Sequence, residues 1–236
     1  MICRFPWRCV FALICLVLPT ATLQAQTKAQ SSSSSPAKPA TKPDSTLDPG
    51  AVTNGVYHNK TLALSCKIPP GWVLRTDELN LRDENGAEKK EEENKEDKKN
   101  EAQPPAASSA GARVLLAAFS RPPDVRAEDV NSSILITAEN AAAYPGLTEA
   151  AQYFFPLTEV FKAQGFIPDE DPYEIAIGAK TVPRADFHKN VGNRVMHQST
   201  LVMLSHGYAI SITVIGGTDD EVEDLIDGLT FSGPGK

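Results

Sequence analysis

Apolar and polar positions alternate along much of the chain. Leu62, Leu64, Cys66 and Ile68 are separated by Ala63, Ser65 and Lys67, which is the period of two of a half-buried strand. Pro69-Pro70-Gly71 turns the chain, and Trp72-Val73-Leu74 opens another strand. Residues 113–120 and 133–138 read as two more, and Tyr173, Ile175 and Ile177 alternate with Glu174 and Ala176. Residues 180–188, 194–204 and 208–216 read as a meander, with turns at Asn190-Val191-Gly192-Asn193 and His206-Gly207. In its last strand Tyr208, Ile210, Ile212 and Val214 share one face, and Ala209, Ser211, Thr213 and Ile215 the other. Both faces are largely apolar, so this strand is expected to be central and covered on both sides.

Two segments change to helical spacing. Leu147, Ala150, Ala151, Phe154, Leu157 and Phe161 predict a helix with Thr148 as N-cap, a kink or break at Pro156 and a stop at Gly165. Thr218-Asp219-Asp220-Glu221 is a capping box that opens a second helix, whose buried stripe is Val222, Leu225, Ile226 and Leu229. Strands joined by short turns, with helices packed on them, predict an α+β fold built on a mainly antiparallel β-sheet covered by helices.

Elsewhere the periodicity stops. Residues 26–50 are rich in Ser and Pro with Leu47 as their one large apolar residue, and are expected to form a disordered tether. Residues 83–112 contain no Val, Ile, Leu, Met, Phe, Trp or Tyr and mix Glu with Lys. They read as a disordered charged insert, because a run without an apolar face has nothing to dock with. Residues 1–25 have an export-signal layout: Arg4 and Arg8, the apolar run 9–18, Pro19, then Leu23-Gln24-Ala25 ahead of Gln26. Ten apolar residues are too few to cross a bilayer, which takes about 20. The expected organisation is a signal peptide at 1–25, a linker at 26–50 and a single domain at 51–236 carrying the insert.

Composition narrows the class. The chain has 236 residues and a formal net charge of -7. Its acidity argues against nucleic-acid binding, which needs a basic face. The signal places the protein outside the cytoplasm, periplasmic or secreted, with a plastid lumen or a membrane tether through an uncleaved signal as alternatives. No stable membrane span is expected after cleavage. Of the four cysteines, Cys3, Cys9 and Cys15 lie in the signal, so the exported chain keeps Cys66 alone and forms no internal disulfide.

Tyr57 and the segment LALSCKIPPGW at 62–72 resemble the opening of PsbP-like domains, the extrinsic subunits of photosystem II and their bacterial relatives. The ending YAISITVIGGTDDEVEDLIDGLTF at 208–231 is similar to theirs as well. The resemblance covers most of residues 51–232. It implies an antiparallel sheet sandwiched by helices (an α/β/α sandwich) and a non-enzymatic role in binding or stabilising larger assemblies. It supplies no functional residue to carry over, and the insert at 83–112 departs from the family's short loop.

Candidate chemistry is sparse. Cys66 shares the alternating face of Leu62, Leu64 and Ile68, so it reads as a buried small hydrophobe rather than a nucleophile. His188, His197 and His206 are spaced nine apart on or beside neighbouring strands. A turn centred at residue 191 or 192 would set His188 against Arg194 or Val195 rather than His197. His206 reads as a turn residue. Gly216-Gly217 precedes a helix as a phosphate cradle would, but the acids that follow would repel a phosphate. Asp169-Glu170-Asp171 lacks the spacing of a calcium loop, and Asn131-Ser132-Ser133 fits a glycosylation sequon.

No catalytic residue, metal site or cofactor motif emerges. The leading expectation is a non-catalytic interaction or stability module of the cell envelope that binds protein partners. The alternative is an envelope protein that binds a small molecule or metal near Trp72, Arg184, His188 and His197, where polar or aromatic groups interrupt apolar strands. The third is an enzyme built on a carboxylate pair. The sequence leaves the identity of the partner and the oligomeric state open.

Overall fold

The computed structural model describes residues 47–87, 112–125, 127 and 129–233. The expected signal, most of the linker, and residues 88–111 of the expected insert lie outside them. All described residues belong to one unit, Lys42–Lys236.

Every strand pairing among the described residues is antiparallel, and helices are few. The first strands are β1 (Ala51–Thr53), β2 (Val56–Asn59) and β3 (Leu64–Lys67). They join β12 (Leu229–Phe231) in a four-stranded sheet of order β1-β2-β3-β12. Asn54 and Gly55, both at positive φ, make the tight β1–β2 turn. The strand expected over 62–68 starts only at Leu64. Ala63 takes a φ of 52° and breaks the extended run, although Leu62, Leu64, Cys66 and Ile68 are all buried.

The second sheet contains β4 (Val73–Leu74), β5 (Arg113–Phe119), β6 (Ser133–Asn140) and β7 (Ile167–Pro168). It continues with β8 (Tyr173–Ile177), β9 (Lys180–Val191), β10 (Arg194–Ser205) and β11 (Tyr208–Gly216). Its order is β4-β5-β6-β11-β10-β9-β7, with β8 paired to the outer edge of β9 beside β7. β11 is central, flanked by β6 and β10, and buried from Ala209 to Gly216, as its two apolar faces predict.

Among the described residues the α-helices are α1 (Thr76–Ala87), α2 (Phe154–Ala163) and α3 (Asp219–Asp227). α1 overlaps the segment expected to be an insert, so residues 83–87 are helical rather than disordered. It also closes the outer edge of β5. Asn80 donates to the Val114 carbonyl and accepts from the Val114 amide, both at 2.9 Å, while Thr76 Oγ1 accepts from the Ala117 amide. A side-chain amide there does what a further strand would do for an open edge.

The helix expected from Leu147 is divided in two. A 3-10 turn over Ala150–Tyr153 leads into α2. Gln152 Oε1 accepts from the amides of Thr148 and Glu149, and Glu149 rather than Thr148 is the N-cap. The change of pitch falls just before Pro156. That proline sits in the first turn of α2, where its missing N–H would find no partner inside the helix, so it causes no break. Gly165, at φ 87°, ends the helix as expected. α3 starts as its capping box predicts, with the Glu221 amide donating to Thr218 Oγ1.

Strand register sorts the core. On one face of the large sheet Leu116, Ile136, Ile212, Leu201 and Val182 meet Tyr57, Leu64 and Cys66 of the small sheet, and Val222, Leu225 and Ile226 of α3. The opposite face holds Ala185, Phe187, Val202 and Ala209 against Phe154, Leu157 and Phe161 of α2. On this second face buried hydroxyls also pair across strands, Thr137 with Ser211 and Thr200 with Thr213. An α/β/α sandwich would place helices alone on both faces. Here one face is shared between α3 and a second sheet, because the three residues Leu229–Phe231 extend past α3 to pair with β3.

Candidate functional site

β9 carries Arg184, Asp186 and His188 at alternate positions, so all three side chains leave the same face of the sheet. Across β10 they oppose Leu201, Ser199 and His197 in that order. Arg194 pairs with Val191, so the tight turn consists of Gly192 and Asn193 and is centred between them. The expected offset of His188 toward Arg194 or Val195 is therefore corrected: His188 lies directly opposite His197.

α3 and the chain after β7 lie along this polar strip and supply carboxylates. Arg184 is 7% exposed. Its Nη1 and Nη2 donate to the two oxygens of Glu223 at 3.1 and 2.5 Å, and its Nε donates to Asp186 at 2.9 Å. Tyr173 lies against the guanidinium and donates its hydroxyl to the other Asp186 oxygen at 2.5 Å. Burial opposes the charge on Arg184, but the hydrogen bonds to Glu223 and Asp186 outweigh it and raise its pKa. Burial, then the Asp186 carboxylate, raises that of Tyr173. With three of its five N–H donors engaged by two carboxylates, Arg184 ties α3 and β8 to β9.

The histidines behave differently. His188 Nδ1 contacts the Asp169 carboxylate, and His197 Nδ1 lies 2.6 Å from Asp219 at the start of α3. Both side chains stay partly exposed, at 33% and 24%. Ser199, the next residue along the same face from His197, is fully buried, and its hydroxyl has no hydrogen-bond partner.

Trp72 is not part of this group. It precedes β4, at the opposite edge of the eight-stranded sheet from β9. There it packs on the main core and lines an open, mainly apolar cleft of about 670 Å³ with Val52, Val56, Pro69, Pro70 and Leu74. Val52 and Leu74 are exposed. β1 ends its sheet, its three residues are all exposed, and among the described residues its outer edge pairs with no strand.

The other candidates are absorbed by the fold. Cys66 is fully buried, and burial pushes its thiol up to about 12. The Gly217 amide donates to Glu221, whose other oxygen accepts from Ser132, so a carboxylate of the chain itself occupies the anion position ahead of α3. The side chain of Asn131 bridges the backbone of Arg121 and the hydroxyl of Ser120. His206 forms the β10–β11 turn with Gly207. Among the described residues no three His, Cys, Asp or Glu side chains converge as a closed metal site requires. Nor is any described helix long and apolar enough to cross a membrane.

No protein-family model and no curated protein matches the chain, so the PsbP-like resemblance remains one of fold signals. Structural similarity is found to PA94 of Pseudomonas aeruginosa, described as a protein of unknown function and putative regulator. The identity is 14% and the TM-score 0.31, over 43% of this chain and 68% of that one. LpqN of Mycobacterium tuberculosis, described as involved in cell envelope biogenesis, is similar at 12% identity and TM-score 0.35, over 72% and 83% of the two chains. A Bacteroides thetaiotaomicron VPI-5482 protein is similar at 13% and 0.34, over 73% and 46%. Values this low assign neither ligand nor function.

Proposed function

We propose that this protein is an exported, non-catalytic interaction module of the cell envelope. Its partner is a protein that lays an extended apolar segment along β1 and into the cleft beside Trp72. The observation that carries this reading is the combination around one cleft of exposed Val52 and Leu74, the half-buried Trp72 and an edge strand with open backbone groups. Strand addition uses such an edge for affinity and the neighbouring apolar pocket for selectivity. The signal layout of residues 1–25 supports export, and the Ser/Pro-rich tether would let the domain reach its partner. The polar strip on β9 supports a structural rather than a chemical role for Arg184, since its partners neutralise it.

The test is purification from the native envelope of the wild type and of Leu74→Asp. The wild type should begin near Gln26 and elute with one partner at fixed stoichiometry. The variant, folded by circular dichroism, should elute alone. A wild type that elutes alone, or a variant that keeps the partner, would refute the reading.

A further inference from the structure

The register of β9 and β10 places two imidazoles directly opposite each other on one sheet face. Directly opposed residues have Cβ atoms about 5 Å apart, within reach of a common ligand for side chains as long as His. Both rings are partly exposed, so an ion can enter from solvent. Each Nδ1 is held by a carboxylate from a different element, Asp169 from the chain after β7 and Asp219 from the start of α3. Asp169 is itself fixed through its backbone amide, which donates to the Asp186 carbonyl at 2.9 Å. A carboxylate on Nδ1 sets the tautomer in which Nε2 carries the lone pair, and this support is what metal-binding histidines recurrently have. The surroundings are acidic as well. Asp169, Asp186, Asp219 and Glu223 border the strip, and Arg184 is consumed by two of them.

We propose that His188 and His197 form a two-imidazole site for a divalent transition metal, oriented by Asp169 and Asp219, with solvent completing the coordination. The imidazole donors select Cu²⁺, Ni²⁺ or Zn²⁺ over Ca²⁺ and Mg²⁺, which prefer oxygen. Of these, Cu²⁺ binds most tightly. The site is independent of the cleft at Trp72.

Cu²⁺ titrated into the purified protein, followed by calorimetry and electron paramagnetic resonance, tests this. One ion per chain should bind, with two imidazole nitrogens in the spectrum. His188→Gln and His197→Gln should each weaken binding at least about tenfold and leave one nitrogen, and Asp169→Asn and Asp219→Asn should weaken it about tenfold with both nitrogens kept. His58→Gln and His206→Gln should change nothing. A wild-type spectrum without two imidazole nitrogens overturns the proposal, as does undiminished binding in either the His188 or the His197 variant. The wild-type spectrum decides the matter even where a variant fails to fold.

Discussion

Replacing Arg184 with Leu removes three charge-assisted hydrogen bonds at once. The loss divides unequally between the two carboxylates. The Glu223 side chain is 53% exposed and recovers water, so its share is that of a surface pair, about 0.5–1 kcal/mol. The Asp186 side chain is only 19% exposed and keeps Tyr173 alone as a donor, and stranding it costs about 2–3 kcal/mol. The total is about 3 kcal/mol, or a fall in Tm of about 6–12 °C for a domain of this size. Thermal and urea unfolding at pH 7, followed by circular dichroism, should rank Arg184→Leu above Asp186→Asn and that above Glu223→Gln. Adding Asp186→Asn to Arg184→Leu should restore most of the loss, because the stranded charge is gone. If Arg184→Leu cost less than about 1 kcal/mol, or Glu223→Gln cost as much, Arg184 would not be the tie between α3 and β9. It would then return as a candidate ligand-binding residue.

Three further outcomes are expected. Asn80→Ala should cost about 2 kcal/mol through the two bonds to Val114, and should promote aggregation through the opened β5 edge, read by urea midpoint and light scattering. Gly178→Ala should cost about 2–3 kcal/mol in the same urea assay, since its φ is 58° and a Cβ would stand 2.6 Å from the Phe231 carbonyl oxygen. Cys66 should react with a thiol reagent only as the chain unfolds. Its folded pKa of about 12 lies above the ordinary 9.0, so the unfolded thiol ionises first and stability falls as pH rises through that window. Cys66→Ala should flatten that alkaline loss, measured by urea unfolding between pH 8 and 11.

The long strands were legible because β9, β10 and β11 each run for two or more periods of alternation between recognisable turns. β12 was not, since three residues carry no period and Leu229 also fits the stripe of α3. The β1–β2 hairpin had a usable signal in Asn54-Gly55, a dipeptide that favours the tight turn between paired strands. α1 was hidden because its apolar content is confined to Leu79 and Leu81: Leu79 packs on Val114, Ala117 and Phe119 of β5, and Asn80 and Thr76 supply the hydrogen bonds. At the polar strip, Arg184, His188 and His197 could be picked out as interruptions of apolar strands. Their partners could not, because they arrive from other elements: Asp219 and Glu223 with the docking of α3, and Asp169 with the pairing of β7 to β9. The juxtaposition of the two histidines turned on the centre of one turn, where a shift of a single residue moves every cross-strand pair.

The central claim is that the cleft beside Trp72 receives a protein segment. Its most direct test is a photo-cross-linking amino acid placed at Leu74 in the native host, with the exposed Phe155 on α2 as the comparison position. The account predicts a single protein adduct from position 74, lost when Trp72 is changed to Ala, and none from position 155. No adduct at 74, or the same adduct from 155, would contradict it.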